Sequence, residues 1–559
     1  MVKRLWSFIS QEVKGLHQAA YILGFFAFLS QILALIRDRL LAGTFGAGET
    51  LDLYYAAFRI PDLIFVTAAS IVSLSVLIPF LVDASQQGQK EAKEFIDSIF
   101  SFFFLFITAV SVCAFFLLPY ILPVVFPGFS ETQIDTLIPL SRILLLSPFF
   151  LGLSNLFGSI TQANRRFLVY ALSPLLYNTG IIVGIIFLSP VFQITGVVIG
   201  VAFGALLHFS IQIPAVVSSG LSPSFSFSPN FSKIRKVFFL SLPRTFTLAI
   251  SHLVILLLLS FASLQAIGSI SVFNFSYNLQ SISLSIIGVS YSLAAFPTLA
   301  HLFSSGDTKK FLAHILVSAR HIIFWSIPVA VLFVVLRAQI VRVILGTGEF
   351  DWADTRLTAA ALALFVFSVV FQSLALLFVR GYYSAGETLK PLVINAFSGV
   401  FTIISAVALM FLFKTNAFFQ FFIESLLRVE GLSGTEVLML PLAFSIGSVA
   451  NGLLLWVMFE FDFDHFSEPL LKTFSHIFSA SIIMGFYSYI SLNILSRFLN
   501  LDTFIGIFLQ GFIAGVIGIT IGILVLGLLE NEELVEVTET FKKKIWKTEA
   551  ISPDTTDIV

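Results

Sequence analysis

Long apolar runs separated by short polar connections set the pattern of this chain. Runs long enough to cross about 30 Å of hydrocarbon as helix recur fourteen times. Their approximate limits are 17–43, 53–83, 93–122, 134–161, 167–189, 192–217, 235–264, 269–300, 310–336, 354–379, 389–413, 437–461, 470–496 and 504–528. The pattern predicts an all-α polytopic membrane protein of about 14 transmembrane helices. An even number puts both termini on one side. Val2 to His17 reads as a short amphipathic interfacial helix ahead of the first span. Leu221 to Ser232, rich in Pro and Ser, reads as a loop.

Basic residues in the connections orient the bundle. With the N-terminus cytoplasmic, 19 of the 31 Lys and Arg fall on the cytoplasmic side and 6 on the other. The remaining 6 lie inside spans: Arg37, Arg39, Arg59, Arg142, Arg244 and Arg320. Both termini are therefore expected in the cytoplasm. The charged tail at 531–559, with Lys542, Lys543 and Lys544, reads as solvated and drawn to anionic lipid.

Composition removes the competing classes. Hydrophobic residues are 57% of the 559, and charged residues only 11%, against about 25% in a soluble domain. A soluble enzyme, a disordered chain and a nucleic-acid binder are excluded. The single cysteine, Cys113, allows no internal disulfide. No H-E-x-x-H, G-x-S-x-G or Walker motif is present, so no cofactor, metal site or enzymatic chemistry is expected.

A repeat adds organisation. Pro174-Leu175-Leu176-Tyr177-Asn178 and Pro391-Leu392-Val393-Ile394-Asn395 share P-L-x-x-N at an offset of 217. Pro79 and Pro297 repeat at 218. Coincidence is the bland reading. Duplication predicts two six-helix lobes in parallel pseudo-two-fold arrangement: an N-lobe at 1–225 and a C-lobe at 226–463, with two extra helices at 464–530.

Charge inside a span costs at least ~2.5–3.5 kcal/mol on insertion scales, and so marks a functional candidate. The first two spans carry Arg37, Asp38, Arg39, Asp52, Arg59 and Asp62. At ~1.5 Å per residue, Arg37 lies about 12 Å inward from Phe45, and Arg59 about 10 Å inward from Asp52. Two guanidinium forks at like depth suit a phosphate or carboxylate. The alternative is mutual pairing of Arg37, Asp38, Asp52 and Arg59 to hold the two spans together. Arg39 is expected on another face, snorkelling outward, and Arg142, Arg244 and Arg320 near span ends.

These residues form an ordered set. Ile36-Arg37-Asp38, Phe45-Gly46-Ala47-Gly48, Asp52 and Ala57-Phe58-Arg59-Ile60-Pro61 come first. Gln162-Ala163-Asn164, Arg166-Phe167, Pro174, Asn178 and Pro243-Arg244 follow. Gly346, Gly348, Phe350, then Arg380, Tyr382-Tyr383-Ser384, Glu387-Thr388 and Lys390-Pro391 close it. The set resembles the MurJ (MviN) lipid II flippases of the MOP exporter superfamily, over roughly residues 20–400. The resemblance implies export of an undecaprenyl-diphosphate-linked peptidoglycan precursor across the cytoplasmic membrane by alternating access. It implies cavity residues at Arg37, Asp52 and Arg59, with Asp38 beside them, and Asn278 and Ser281 at cavity positions in the eighth span. A monomer, with cell-wall synthesis proteins as partners, is expected. The chain departs where the family carries more charge: Phe65, Val66, Ser70, Ile71, Asn278, Ser281 and Ser30-Gln31 stand at those places. A less basic cavity follows. It keeps open an exporter of another lipid-linked glycan or a small molecule, and a transport-inactive scaffold for cell-wall assembly.

Overall fold

The computed structural model describes residues 16–71, 74–226, 230–463 and 467–546. The expected interfacial segment before residue 16, the residues 227–229 of the expected loop and the tail beyond 546 lie outside the described residues. So do the side chains of Ser70, Ile71, Pro243 and Arg244. Among the described residues the chain is helical throughout, without strands.

Among the described residues ten helices are long and apolar enough to cross a membrane, or eleven if the pair Trp352–Val366 and Val369–Ser384, bent by 41°, is one span. These lengths do not establish the expected number of fourteen. Two expected spans merge in one run. Phe167–Ser218 is 52 residues long, roughly 78 Å as helix, over twice the hydrocarbon thickness. The backbone of Gln193 (φ 50°, ψ −135°) reverses it into a hairpin. A seam of glycines holds the two arms. A Cβ on Gly180 would lie 2.3 Å from the Cα of Gly204, and one on Gly200 would lie 2.6 Å from the Cα of Gly184. Such contact of backbone on backbone is how small residues pack membrane helices. Gly200→Val is expected to destabilise the protein by about 1–3 kcal/mol through overpacking. A lowered thermal midpoint in detergent checks this; an unchanged midpoint would show that the arms can part freely.

The expected second span is instead broken. It runs as Glu49–Ala57 and then Arg59–Ile71, and the described residues 74–87 are helical again. The break after Ala57 bears on the site below.

The molecule divides into two compact units; the first joins all of the expected N-lobe with parts of the expected C-lobe, and the second draws only on the C-lobe and the residues after it. One comprises Met1–Ile282, Ile340–Ser368 and Gly386–Leu455; the other comprises Ser283–Gln339, Val369–Ala385 and Trp456–Val559. In the first unit, three loops that are distant in sequence meet. The turn after Leu16–Phe45 packs on 347–354: Glu349 N–H donates to Gly43 C=O at 3.0 Å, and Ala47 N–H donates to Asp354 Oδ2 at 3.0 Å. Asp354 belongs to the capping box that starts Trp352–Val366. Gly348 (φ +56°) and Gly268 (φ +91°) come so close to Gly43 and Ala47 that a Cβ on either would lie 2.1 Å from a carbonyl oxygen.

In the second unit, the tail helix Glu532–Trp546 is pinned by charge. The Arg320 guanidinium donates to Glu532 and Glu533. Glu533, 2% exposed, also accepts from Thr473 at 2.9 Å and from Asn531 at 2.7 Å. Burial works against the Glu533 charge, but the bonds from Arg320, its own backbone N–H and Thr473 outweigh it and hold the carboxyl below its ordinary value. A depressed carboxyl stabilises the docked tail above its unfolded pKa, and that stability is lost as pH falls through the folded value. The tail is therefore expected to stay docked at neutral pH and release in acid. Glu533→Gln should expose the tail to protease at neutral pH; equal cleavage of both proteins would remove the latch.

Candidate anion site in the membrane span

The first helix, Leu16–Phe45, ends because Gly46 takes a left-handed conformation (φ +63°). Gly48 starts the next helix, Glu49–Ala57, which carries Glu49 and Asp52 in its first turn, where carboxylates favour the helix dipole. The chain breaks at Phe58 and resumes as Arg59–Ile71, with Pro61 and Asp62 in the first turn. Pro61 suits a first turn because its missing N–H has no partner there. At the break, Arg59 Nε donates back to Tyr55 C=O at 3.1 Å.

Opposite these charges stands the helix Ser269–Leu284. Its Ser271, Asn274, Asn278 and Ser281 recur at spacings of three and four, so they share one face. The face takes the charges of the first two spans in order. Asp52 meets its start: Oδ2 accepts from Gly268 N–H at 2.7 Å, and Oδ1 accepts from Ser271 N–H at 2.8 Å and Ser271 Oγ at 2.7 Å. Those N–H groups are orphan donors of a helix N-terminus, and Asp52 caps them from another helix. Arg59 donates to Asn274 Oδ1. Asn278 Nδ2 donates to Asp38 Oδ2 at 3.2 Å. Asn274 and Asn278 are one turn apart, so the sites of Arg59 and Asp38 are separated along the helix by about 6 Å.

Arg37 closes the cluster. Its Nε and Nη2 donate to Asp38 Oδ1 at 2.9 and 2.7 Å, and Nη1 donates to Asn178 Oδ1 at 3.1 Å. Asn178 Nδ2 in turn donates to Pro174 C=O at 3.1 Å and to Ser30 Oγ at 3.3 Å. Arg37 is thus paired with a carboxylate, as the mutual-pairing alternative has it, whereas Arg59 is not. Among the described residues Arg59 forms no salt bridge; a neutral amide and a carbonyl accept its hydrogen bonds, and the Asp62 carboxylate, three residues on, acts on its charge without bonding to it. Buried aromatic rings wall this region, with Tyr54 against Phe58 at 4.9 Å and Tyr55 against Phe275 at 5.7 Å between centroids.

The structure thus gathers Arg37, Asp38, Arg59, Asn178 and Asn278. Asp52 sits at the near end of the same face with both oxygens engaged. Ser281 lies on that face but donates to its own Asn278 C=O at 2.7 Å. Arg39 does not snorkel: it donates to Val343 C=O and to Ile344 C=O, capping the C-terminal carbonyls of Arg337–Ile344. Asn164 ends the helix Leu146–Ala163, with Nδ2 donating to Ile160 C=O at 2.8 Å. Gly46 and Gly48 belong to the three-loop contact. Arg380, Glu387 and buried Pro391 stand around a connection elsewhere in the chain, outside this cluster. Asn395 is half-buried and has no hydrogen bond like that of its repeat counterpart Asn178. Asn274 and Ser271 were the residues the sequence reading passed over. Their signal is the polar stripe at helical spacing in an otherwise apolar span.

Comparisons with known proteins follow this geometry. A family model described as lipid II flippase MurJ matches residues 41–419. A probable lipid II flippase MurJ of Thermotoga maritima is 27% identical over 374 residues, 66% of this chain and 74% of that protein. A probable lipid II flippase MurJ of Rickettsia prowazekii is 24% identical over 394 residues, covering 68% and 76%. The lipid II flippase MurJ of Burkholderia cenocepacia is 23% identical over 386 residues, covering 67% and 75%. Among solved structures, lipid II flippase MurJ in an inward closed conformation superposes with TM-score 0.70 at 23% identity, over 94% of this chain and 99% of that one. An inward-facing multidrug MATE transporter of the MOP superfamily gives 0.63 at 15% identity, over 78% and 96%. The latter two are likenesses of fold.

Proposed function

We propose, from the premise that this chain belongs to the lipid II flippase MurJ family, that it is a multi-pass inner-membrane transporter that flips lipid II, with Arg37 and Arg59 receiving the diphosphate. One observation carries the site: among the described residues the Arg59 guanidinium is held in a membrane span by Asn274 and a carbonyl, with no salt bridge and only the unbonded Asp62 carboxylate acting on its charge. A cation so placed is costly without an anion, and a diphosphate oxygen would replace the amide with a charge-assisted bond.

The same bonds suggest how binding drives alternation. We propose two lobes, 1–225 and 226–463, with both termini cytoplasmic and the chain acting as a monomer beside cell-wall synthesis proteins. Arg59 to Asn274, Asp38 to Asn278 and Asp52 to Ser271 then bridge the lobes. A ligand that takes the Arg59 donors competes with the bridge to Asn274 and so favours a state in which that bridge is open. Only such a difference in affinity between states can shift the population. The helices 470–496 and 504–528 would flank the lipid tail.

A second reading, export of another lipid-linked glycan or a small molecule, draws on the uncharged residues Phe65, Val66, Asn278 and Ser281 in a fold shared with MATE transporters. Reconstitution separates the readings. Vesicles holding the purified protein are expected to translocate lipid II faster than an undecaprenyl-diphosphate glycan. Equal or reversed rates would replace the first reading with the second. No movement of either lipid would leave the scaffold.

A further inference from the structure

We infer that a cavity at the ends of helices Phe231–Ser263 and Leu389–Thr415 is a head-group site for an ammonium-bearing zwitterionic phospholipid. The cavity measures about 490 Å³, and its polar walls are Gln265, Lys414, Gln420, Glu424, Thr435 and Glu436. It lies apart from the arginine cluster in the span.

The lining carries both signs of charge, with one carboxylate to spare. Lys414 Nζ stands 3.4 Å from Glu436 Oε2, longer than the ~2.7–2.9 Å of a tight charge-assisted bond. The lysine can therefore share itself with a phosphate oxygen. Glu424 has no cation. Its Oε1 accepts from Gln420 at 3.0 Å and Thr435 at 2.7 Å, while Oε2 has no hydrogen bond among the described residues. Gln265 Oε1 is buried without a partner, and its Nε2 rests on the weak acceptor Met410 Sδ at 3.3 Å. Buried polar atoms are nearly always satisfied. Two open acceptors, one of them on the spare carboxylate, call for a ligand with several N–H donors and a positive charge.

The wall on one side identifies the ligand as a lipid. The helix Ala417–Leu427 starts one residue after Leu389–Thr415 ends, capped by Asn416. Its 11 residues span about 16 Å, too short to cross, and a crossing helix precedes it and another follows it. Phe418, Phe421, Phe422 and Leu426 are exposed, at 78, 63, 51 and 60%. They form one stripe, and Gln420 and Glu424 lie on the other face. This is an interfacial helix with its rings in the acyl region and its polar face on the cavity. A molecule with an ammonium-phosphate head and acyl tails meets both surfaces at once. An ethanolamine head supplies N–H donors to Glu424 Oε2 and Gln265 Oε1; a choline head supplies none.

The test uses the full-length protein in detergent, with binding read by native mass spectrometry and requires no transport. The probes are short-chain phosphatidylethanolamine, phosphatidylcholine and phosphatidylglycerol, and the tail-less glycerophosphoethanolamine. Phosphatidylethanolamine is expected to bind about tenfold tighter than the other two lipids, as fits loss of charged hydrogen bonds. Glu424→Gln should remove that preference. Lys414→Gln, at a 58% exposed side chain, should weaken all three lipids and guards against misfolding of the first variant. Equal affinity for ethanolamine and choline heads, or a preference that survives Glu424→Gln, overturns the site. Equal binding of glycerophosphoethanolamine and the lipid would make it a site for the free head group and overturn the lipid assignment.

Discussion

Arg59→Ala is expected to abolish growth support in a cell depleted of its own flippase, while the protein remains folded in the membrane. The side chain makes two polar contacts, to Tyr55 C=O and Asn274 Oδ1. Their loss leaves two neutral acceptors and the Asp62 carboxylate, which Arg59 does not bond, so Arg59→Ala with Asp62→Asn keeps the structural cost apart from the functional one. The functional cost is large, because truncating one member of a desolvated charge pair takes roughly 2–5 kcal/mol, a factor of about 30 or more in affinity. Arg59→Lys keeps the charge but loses the planar fork, and should retain part of the activity. Arg37→Ala is less clean. It strands Asp38, 5% exposed, with only the weak bond from Asn278, so binding and stability fall together; adding Asp38→Asn separates the two effects. Full complementation by Arg59→Ala, at matched protein level, would sink the assignment of the diphosphate to this residue.

Much of this was legible in the chain, and the reasons differ by element. Apolar runs show up because lipid-facing helices need apolar residues on nearly every side, as in Phe504–Leu528. The pair Arg37 and Arg59 shows up because charge in a span is rare. The hairpin at Gln193 was read as two spans, correctly divided but without the glycine seam that joins them. The break at Phe58 has its trace in Pro61, whose missing N–H suits a first turn, but apolar periodicity runs through it and hides the interruption. Asn274 was missed for a different reason. Asn and Ser in an apolar span look unremarkable singly, and only their spacing against a partner helix gives them meaning. Arg39 shows the limit of depth arguments: its distance from the span end suggested snorkelling, yet a neighbouring helix terminus, remote in sequence, offered carbonyls nearer than water. Glu387 carries the family pattern and Asn395 the internal repeat in sequence, yet neither takes part in the charged cluster.

The second large effect is expected at the three-loop contact. Gly348→Val should hold the protein open at the end where the first two spans join, and should stop transport. The reason is local. Gly348 has φ +56°, and a Cβ there would lie 2.1 Å from Gly43 C=O. A β-branched residue in that conformation costs roughly 1–2 kcal/mol, and the overlap adds about 1–3 kcal/mol. Together these shift a two-state equilibrium by a factor of about 30 to several thousand. The strain exists only while 347–349 sits on 43–47, so the open state escapes it. Asp52→Asn acts in the same direction more gently, by weakening the cap on Gly268 and Ser271. In the proposed two-lobe arrangement, parting at this end makes the polar face of Ser269–Leu284 reachable from the proposed non-cytoplasmic side. Ser281→Cys in a Cys113→Ser background supplies the reporter, labelled by an impermeant maleimide. Labelling should rise sharply with Gly348→Val, less with Asp52→Asn, and growth support should fall in the same order. Gly348→Ala, a smaller intrusion at the same φ, covers the case in which valine prevents folding. Unchanged labelling and unchanged transport in the alanine variant would mean that this contact does not gate the pathway.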